Sequence, residues 1–143
     1  MSDPFNLQRF IDAQESVFET ALAELRAGSK KSHWMWFVFP QLAGLGLSPT
    51  SQYYAMASLK EARAYLTHPF LGDRLRQCLG ALRPWAGKRS ADQIFGQLDA
   101  MKLRSSLTLF DRVAPGEVFA RALEGFFDGQ RDERTLALLE PME

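Results

Sequence analysis

Cysteine and histidine are scarce in this chain, which has one cysteine and two histidines among its 143 residues. A single cysteine, Cys78, cannot form an internal disulfide. The sequence also lacks the His-x-x-x-His and Cys-x-x-Cys spacings that are typical of zinc sites. We therefore expect neither a structural metal ion nor another cofactor.

The chain also has no excess of basic over acidic residues and no long apolar run. The 17 basic and 17 acidic residues give a formal net charge of zero, which argues against bulk nucleic-acid binding through basicity. No apolar run approaches the roughly 20 residues that span a bilayer, and residues 1–4 lack a signal-peptide pattern. We expect a cytoplasmic protein without a membrane partner, and the sequence leaves its oligomeric state open.

Strand signals are absent, whereas helix signals recur. No stretch alternates apolar and polar residues on both sides of a hairpin turn. Helical apolar spacing from Leu7 to Leu25, after Asp3-Pro4 and before Gly28, predicts one long N-terminal helix. Further helix starts are indicated at Ser48-Pro49, Ser58 with Glu61, Pro69, Ser90 with Gln93, Asp99, Pro115 and Asp132. The sequence predicts an all-α fold, a single domain over residues 1–143 of seven or eight mostly short helices around the long first one.

The densest chemistry lies in the segment from Lys30 to Pro40, where two lysines, a serine and a histidine precede an aromatic run. If Ser32 caps a short helix, its free amides together with Lys30 and Lys31 favour a phosphate or carboxylate, and His33 supplies a proton or a hydrogen bond. The alternative is a solvated turn with a histidine that caps or packs.

Two tryptophans in this segment are candidates for stacking on a planar ligand. Trp34 and Trp36 are two residues apart, so on a helix they face different sides. At most one of them then faces a given pocket, and core packing is the expected role of the other.

A second group of candidates lies further along the chain. A polar stripe recurs on one side of a predicted helix, with large apolar residues on the other, and consists of Asp99, Lys102, Ser105 and Ser106. It forms either the wall of a cleft or the wet side of an amphipathic helix. Tyr54 and Glu61 are further pocket candidates, although Glu61 is also explained by its capping box.

Most of these residues belong to stretches that resemble a known family over nearly the whole chain. The matching stretches are residues 10–14, 32–36, 39–41, 45–48, 58–66 and 102–106, of which the His-Trp-Met-Trp string at 33–36 is the most specific. The chain resembles the bacterial "domain of unknown function 1810" family. That resemblance implies a small multihelical cytoplasmic protein and assigns no catalytic residue. Some relatives are labelled calpastatin, but calpastatin repeats are disordered and poor in core residues, unlike this aromatic-rich chain.

The order of elements is more distantly similar to the NADAR superfamily of helical proteins, which is associated with NAD and ADP-ribose metabolism and N-glycosidic bond cleavage. Tyr54 and residues 125–127 fall in two regions that the similarity matches. Ser51 and Gln52 stand where the Glu-His of that superfamily's motif falls, so the acidic residue of the motif is absent here.

Two hypotheses follow. In the first, the protein binds or hydrolyses a phosphorylated or nucleotide-like small molecule such as ADP-ribose or an NAD derivative, with His33 and Glu61 as catalytic groups. The ligand-binding residues would then be Lys30, Lys31, Ser32, Trp34, Trp36, Tyr54, Lys102, Ser105 and Ser106. In the second, the chain is a non-catalytic protein-protein interaction module. The hypotheses differ in whether His33, Trp36, Lys102 and Ser106 line one concave pocket.

Overall fold

The computed structural model describes residues 3–143, and these form ten α-helices and two short 3₁₀ helices without an extended strand. The α-helices are α1 (Gln8–Glu15), α2 (Phe18–Arg26), α3 (Met35–Val38), α4 (Pro49–Tyr54), α5 (Leu59–Thr67), α6 (Leu71–Leu82), α7 (Ala91–Phe95), α8 (Gln97–Val113), α9 (Val118–Phe127) and α10 (Glu133–Leu139). The 3₁₀ helices are Arg83–Trp85 and Glu140–Met142. The all-α prediction is confirmed, but the predicted number of helices is too low.

The N-terminal region is two helices instead of the one long helix that was predicted. Helix α1 ends at Glu15 and α2 begins at Phe18, because Val17 has a non-helical backbone (φ −124°, ψ −11°). Serine and β-branched valine are both weak helix formers, which favours a break at Ser16-Val17. The start also differs, since the Asp3 carboxylate accepts hydrogen bonds from the amides of Leu7 and Gln8 across an intervening turn.

Helix α8 is the longest helix of the described chain and lies at its centre. Its 17 residues contact α5, α7, α9 and α10. The predicted apolar face is confirmed, since Leu103, Leu107 and Phe110 are buried. Ser105 and Ser106 are buried too, so beyond its first two turns α8 is enclosed on more than one side.

The segment that follows α2 reaches the core through aromatic packing. Trp34 is fully buried and its ring lies 6.2 Å from the ring of Phe39 and 6.4 Å from that of Phe95. These contacts bring the short helix α3 against the junction of α7 and α8. No helix among residues 3–143 is long and apolar enough to cross a membrane.

Candidate functional site

A cavity of about 400 Å³ lies where the segment before α3 meets the first turns of α8. Four of the predicted ligand or catalytic residues line it: Lys30, His33, Trp36 and Lys102. The remaining lining comes from Met35 and residues 95–99. The fold thus brings together residues that are about 70 positions apart in the chain.

Asp99 is a further charged residue of this cavity, which was predicted as part of the polar stripe but not as a ligand-binding residue. Its two carboxylate oxygens lie 2.8 Å from Lys30 Nζ and 3.4 Å from Lys102 Nζ. The Lys30 side chain is only 6% exposed and also donates to the carbonyl of Ser32, so it anchors the segment to α8. Two ammonium groups and one carboxylate leave the cavity with an excess positive charge.

Lys102 and Trp36 form the accessible part of the cavity wall. Lys102 Nζ lies 5.1 Å from the centre of the Trp36 ring, which is the geometry of a cation–π contact. The Lys102 side chain is 28% exposed, Trp36 is half-buried and His33 is exposed. An aromatic face, an ammonium group and an imidazole are therefore available to a molecule in the cavity.

The N-terminus of α8 contributes to the same cavity. Gly96 precedes the helix with φ 81°, a backbone conformation that glycine adopts without strain, and no side chain caps this end. Amides in the first turn of a helix have no intrahelical acceptor, and the helix dipole places a partial positive charge there. Gln97 and Leu98 line the cavity in this turn, so its potential favours an anion.

The predicted anion site at Lys31 and Ser32 is instead occupied by a carboxylate of the chain itself. Glu24 accepts hydrogen bonds from the amides of Lys31 (2.8 Å) and Ser32 (3.0 Å), from the Ser32 hydroxyl and from the Trp34 indole (2.9 Å). Burial alone would raise the pKa of Glu24, but these hydrogen bonds outweigh it and lower the pKa to about 2. Ser32 therefore does not cap α3, whose N-cap is Trp34.

The two tryptophans of the segment lie in different environments. Trp34 is fully buried, with its indole nitrogen satisfied by Glu24, so it is not placed to stack on a ligand. Trp36 lines the cavity. The partition follows the expectation that residues two apart face different sides.

Glu61, predicted as a catalytic base, lies outside the cavity in a buried ion pair. Its carboxylate is 2.7 Å from Arg9 Nη2 and accepts a hydrogen bond from the Ala57 amide at 2.9 Å, and both charged side chains are less than 10% exposed. The same guanidinium donates to the carbonyls of Tyr53 and Ala55. This arrangement holds α1 against α4 and α5, which is a structural role.

Three further predicted ligand-binding residues also lie outside the cavity. Tyr54 packs on Phe10 and Phe37, and burial raises the pKa of its hydroxyl. Ser105 is buried and donates to the carbonyl of Met101, while the buried Ser106 hydroxyl has no partner within the described chain. Lys102 bonds to Asp99 rather than to Ser106, so the predicted stripe along α8 separates into two cavity residues and two core residues.

Comparison with known proteins gives a family and a solved structure. The family model described as "Protein of unknown function (DUF1810)" matches residues 4–139. The crystal structure of the conserved hypothetical protein Rv1873 from Mycobacterium tuberculosis is similar at 49% sequence identity, with a TM-score of 0.92, over 96% of this chain and 98% of that one. No curated protein matches the chain. Neither matched description mentions NADAR or calpastatin.

Proposed function

We propose that this chain, which belongs to the DUF1810 family of proteins of unknown function, binds a small nucleotide-like anion in the cavity beside α8. ADP-ribose and NAD derivatives are the ligands that we favour. The observation that supports this proposal is the convergence of Lys30, His33, Trp36 and Lys102 on one concave surface of about 400 Å³. That volume lies within the usual range for small-molecule sites, roughly 300–1,000 Å³.

Each part of such a ligand has a matching group in the cavity. A phosphate oxygen would accept hydrogen bonds from Lys102 and from the free amides of the first turn of α8, because both offer positive potential at the same place. The half-buried ring of Trp36 offers a surface for a base. The exposed imidazole of His33 would donate a hydrogen bond at the rim.

The proposal is binding rather than hydrolysis. Cleavage of an N-glycosidic bond requires a proton donor, an activated water and stabilisation of an oxocarbenium-like centre, which carboxylates usually provide. Within the described chain, Asp99 has both oxygens engaged by lysines, and Glu61 is paired with Arg9 away from the cavity. Neither carboxylate is free to activate a water in this arrangement.

Thermal unfolding with and without ligand tests the proposal. ADP-ribose, NAD and adenosine monophosphate at about 100 times the dissociation constant should stabilise the folded state by about 2.7 kcal/mol. In a domain of this size the midpoint should rise by roughly 9 °C. The shift should disappear in Trp36→Ala and shrink in His33→Ala and Lys102→Ala.

Lys31→Ala is the matched control, because Lys31 is an exposed lysine of the same segment whose side chain does not line the cavity. It removes the same charge as Lys102→Ala and should leave the ligand-induced shift unchanged. Equal losses in the two variants would point to non-specific attraction, and no shift with any of the three ligands would contradict the proposal.

The alternative function, a protein-protein interaction module, is favoured by a different observation on the same helix. Leu98 and Met101 are 75% and 54% exposed near the start of α8, although both are large apolar residues. A Met101→Asp variant should lose a protein partner but retain a nucleotide-induced shift, because Met101 does not line the cavity. Loss of the nucleotide shift in that variant would assign Met101 to the ligand site instead.

A further inference from the structure

A second cavity lies on another part of the surface, between α6 and α9, and has a volume of about 350 Å³. Its floor is apolar and includes Leu79, Ala122 and Phe126. Three arginines, Arg76, Arg83 and Arg121, stand around this floor. We call this site the arginine groove. It shares no residue with the cavity beside α8.

The guanidinium groups of the arginine groove are poorly compensated by the rest of the chain. Arg76 is 44% exposed, lies 3.9 Å from a Glu117 carboxylate oxygen and contacts the Leu66 carbonyl only at 3.5 Å. Arg83 and Arg121 are exposed, and their side chains form no hydrogen bond or ion pair with the described residues. Three cations therefore line an apolar surface, and within the described residues only Arg76 forms an ion pair, at 3.9 Å from Glu117.

Gly80 of α6 leaves the lining of the groove without a side chain at one position. Glycine inside an α-helix is unfavourable relative to alanine. Gly72 of the same helix is required, because a Cβ there would overlap the Leu66 carbonyl. A Cβ at Gly80 would meet no atom within 4 Å, and its φ is not positive, so packing within the chain does not explain this glycine.

The volume and the lining residues of the groove indicate which kind of molecule would fit it. At about 350 Å³ the groove is near the lower end of small-molecule sites, so it suits a small molecule rather than a protein segment. An apolar floor favours an apolar body, and guanidinium groups favour a carboxylate, which they can bind with two parallel hydrogen bonds.

We propose that the arginine groove binds a small amphiphilic carboxylate, with the apolar body on Leu79 and Phe126 and the carboxylate on Arg121 and Arg83. The absence of a side chain at Gly80 leaves the floor open for that body. This site is separate from the nucleotide-like ligand proposed above, so the two proposals stand or fall independently.

Octanoate is a suitable probe, with octanol as its uncharged counterpart. A titration of the full chain followed by amide chemical shifts should give saturable changes at Gly80 and Ala122 with octanoate. Octanol should bind roughly tenfold more weakly, since a charge-assisted hydrogen bond to arginine is worth more than about 1.4 kcal/mol. Saturable changes of equal strength with octanol, or octanoate changes elsewhere than the groove, would overturn the proposal.

Variants test the same assignment. Arg121→Gln should weaken octanoate binding by roughly tenfold, whereas Arg63→Gln, an exposed arginine on α5 that does not line the groove, should not change it. Gly80→Leu should fill the groove and abolish binding. If Gly80→Leu fails to fold, the proposal is still tested by the octanoate affinity of Arg121→Gln and by the octanol affinity of the wild type. An unchanged octanoate affinity in Arg121→Gln contradicts the proposal.

Discussion

The segment from Lys30 to Trp36 supplies two polar clusters that differ in how completely they are satisfied. In the Glu24 cluster, the carboxylate binds the amides of Lys31 and Ser32 and the indole of the buried Trp34. In the cavity beside α8, His33 is exposed and the Trp36 ring is half-buried. The first cluster is closed by the chain itself, while the second keeps accessible groups.

This difference separates stability from binding within one short stretch. A buried polar group contributes to stability only when its hydrogen bonds are made, and leaving one unmade costs about 1–3 kcal/mol. Glu24 accepts the hydrogen bonds of the Ser32 amide and of the Trp34 indole, so neither of these donors is left without a partner. The accessible groups of the cavity contribute less to folding and remain free to contact a ligand. Substitutions in the Glu24 cluster should therefore lower stability, whereas substitutions of the accessible cavity residues should mainly weaken ligand binding.

The largest contrast is expected between the two tryptophans. Trp34→Ala should lower the free energy of unfolding by about 4 kcal/mol, because it removes a fully buried ring and leaves a cavity. Trp36→Ala should cost about 1 kcal/mol, since that ring is only half-buried and loses part of its apolar contacts. Urea unfolding measures both values, and equal losses would contradict the division into a closed and an open cluster.

Glu24→Gln should cost about 2 kcal/mol, because the neutral amide retains acceptor capacity but loses the charge-assisted hydrogen bonds. Glu19→Gln is the matched control, since Glu19 lies on the same helix, is exposed and makes no side-chain hydrogen bond within the described chain. The control should unfold like the wild type in urea. A Glu24→Gln variant as stable as the control would show that the hydrogen bonds of the Glu24 carboxylate do not stabilise the fold.

The same carboxylate predicts a pH dependence of stability. The pKa of Glu24 falls from an ordinary value of 4.5 to about 2 in the folded protein. A lowered folded pKa gives stability that is present above pH 4.5 and is lost as the pH falls towards 2. The difference in unfolding free energy between wild type and Glu24→Gln should thus shrink over this interval. A difference that stays constant from pH 5 to pH 2 would argue against the hydrogen-bonded carboxylate.

Local signals in the sequence predicted local structure well. Ser48, Ser58 and Ser90 each accept a hydrogen bond from the amide three residues later, as their cap patterns indicate. These interactions involve adjacent residues in the chain, so spacing alone reveals them. The break at Ser16-Val17 was not predicted, although two weak helix formers stand there within an apolar pattern that otherwise continues.

Interactions between distant residues were not accessible in the same way. Glu61 fits a capping box in the sequence, but its partner Arg9 is 52 positions away and was not expected. Glu24 lies on the polar face of a helix, where nothing distinguishes it from a solvated residue before the chain folds back. Residue type alone marked four residues as candidates for a binding site, namely Lys30, His33, Trp36 and Lys102. The position of Asp99 between the two lysines could not be predicted in this way, because it depends on how α8 packs against the segment that contains Lys30.

Two further substitutions lie within the cavity and distinguish its two lysines. Lys30→Met should cost about 2 kcal/mol, because Lys30 is buried and joins Asp99 to the carbonyl of Ser32. The measurement is urea unfolding at neutral pH. A loss below that of Lys102→Ala would mean that Lys30 does not anchor the segment to α8.

Lys102→Ala is expected to have the smallest effect, within about 0.5 kcal/mol of the wild type in urea unfolding. Lys102 is partly exposed, and its 3.4 Å contact with Asp99 is the weaker of the two lysine contacts, so Asp99 retains Lys30 as its main partner. Repeating the measurement in high salt sharpens the test, since screening reduces the contribution of exposed pairs. A loss as large as that of Lys30→Met would show that Lys102 has a structural role. Lys102 would then not be an ammonium group that is free to contact a ligand in the cavity.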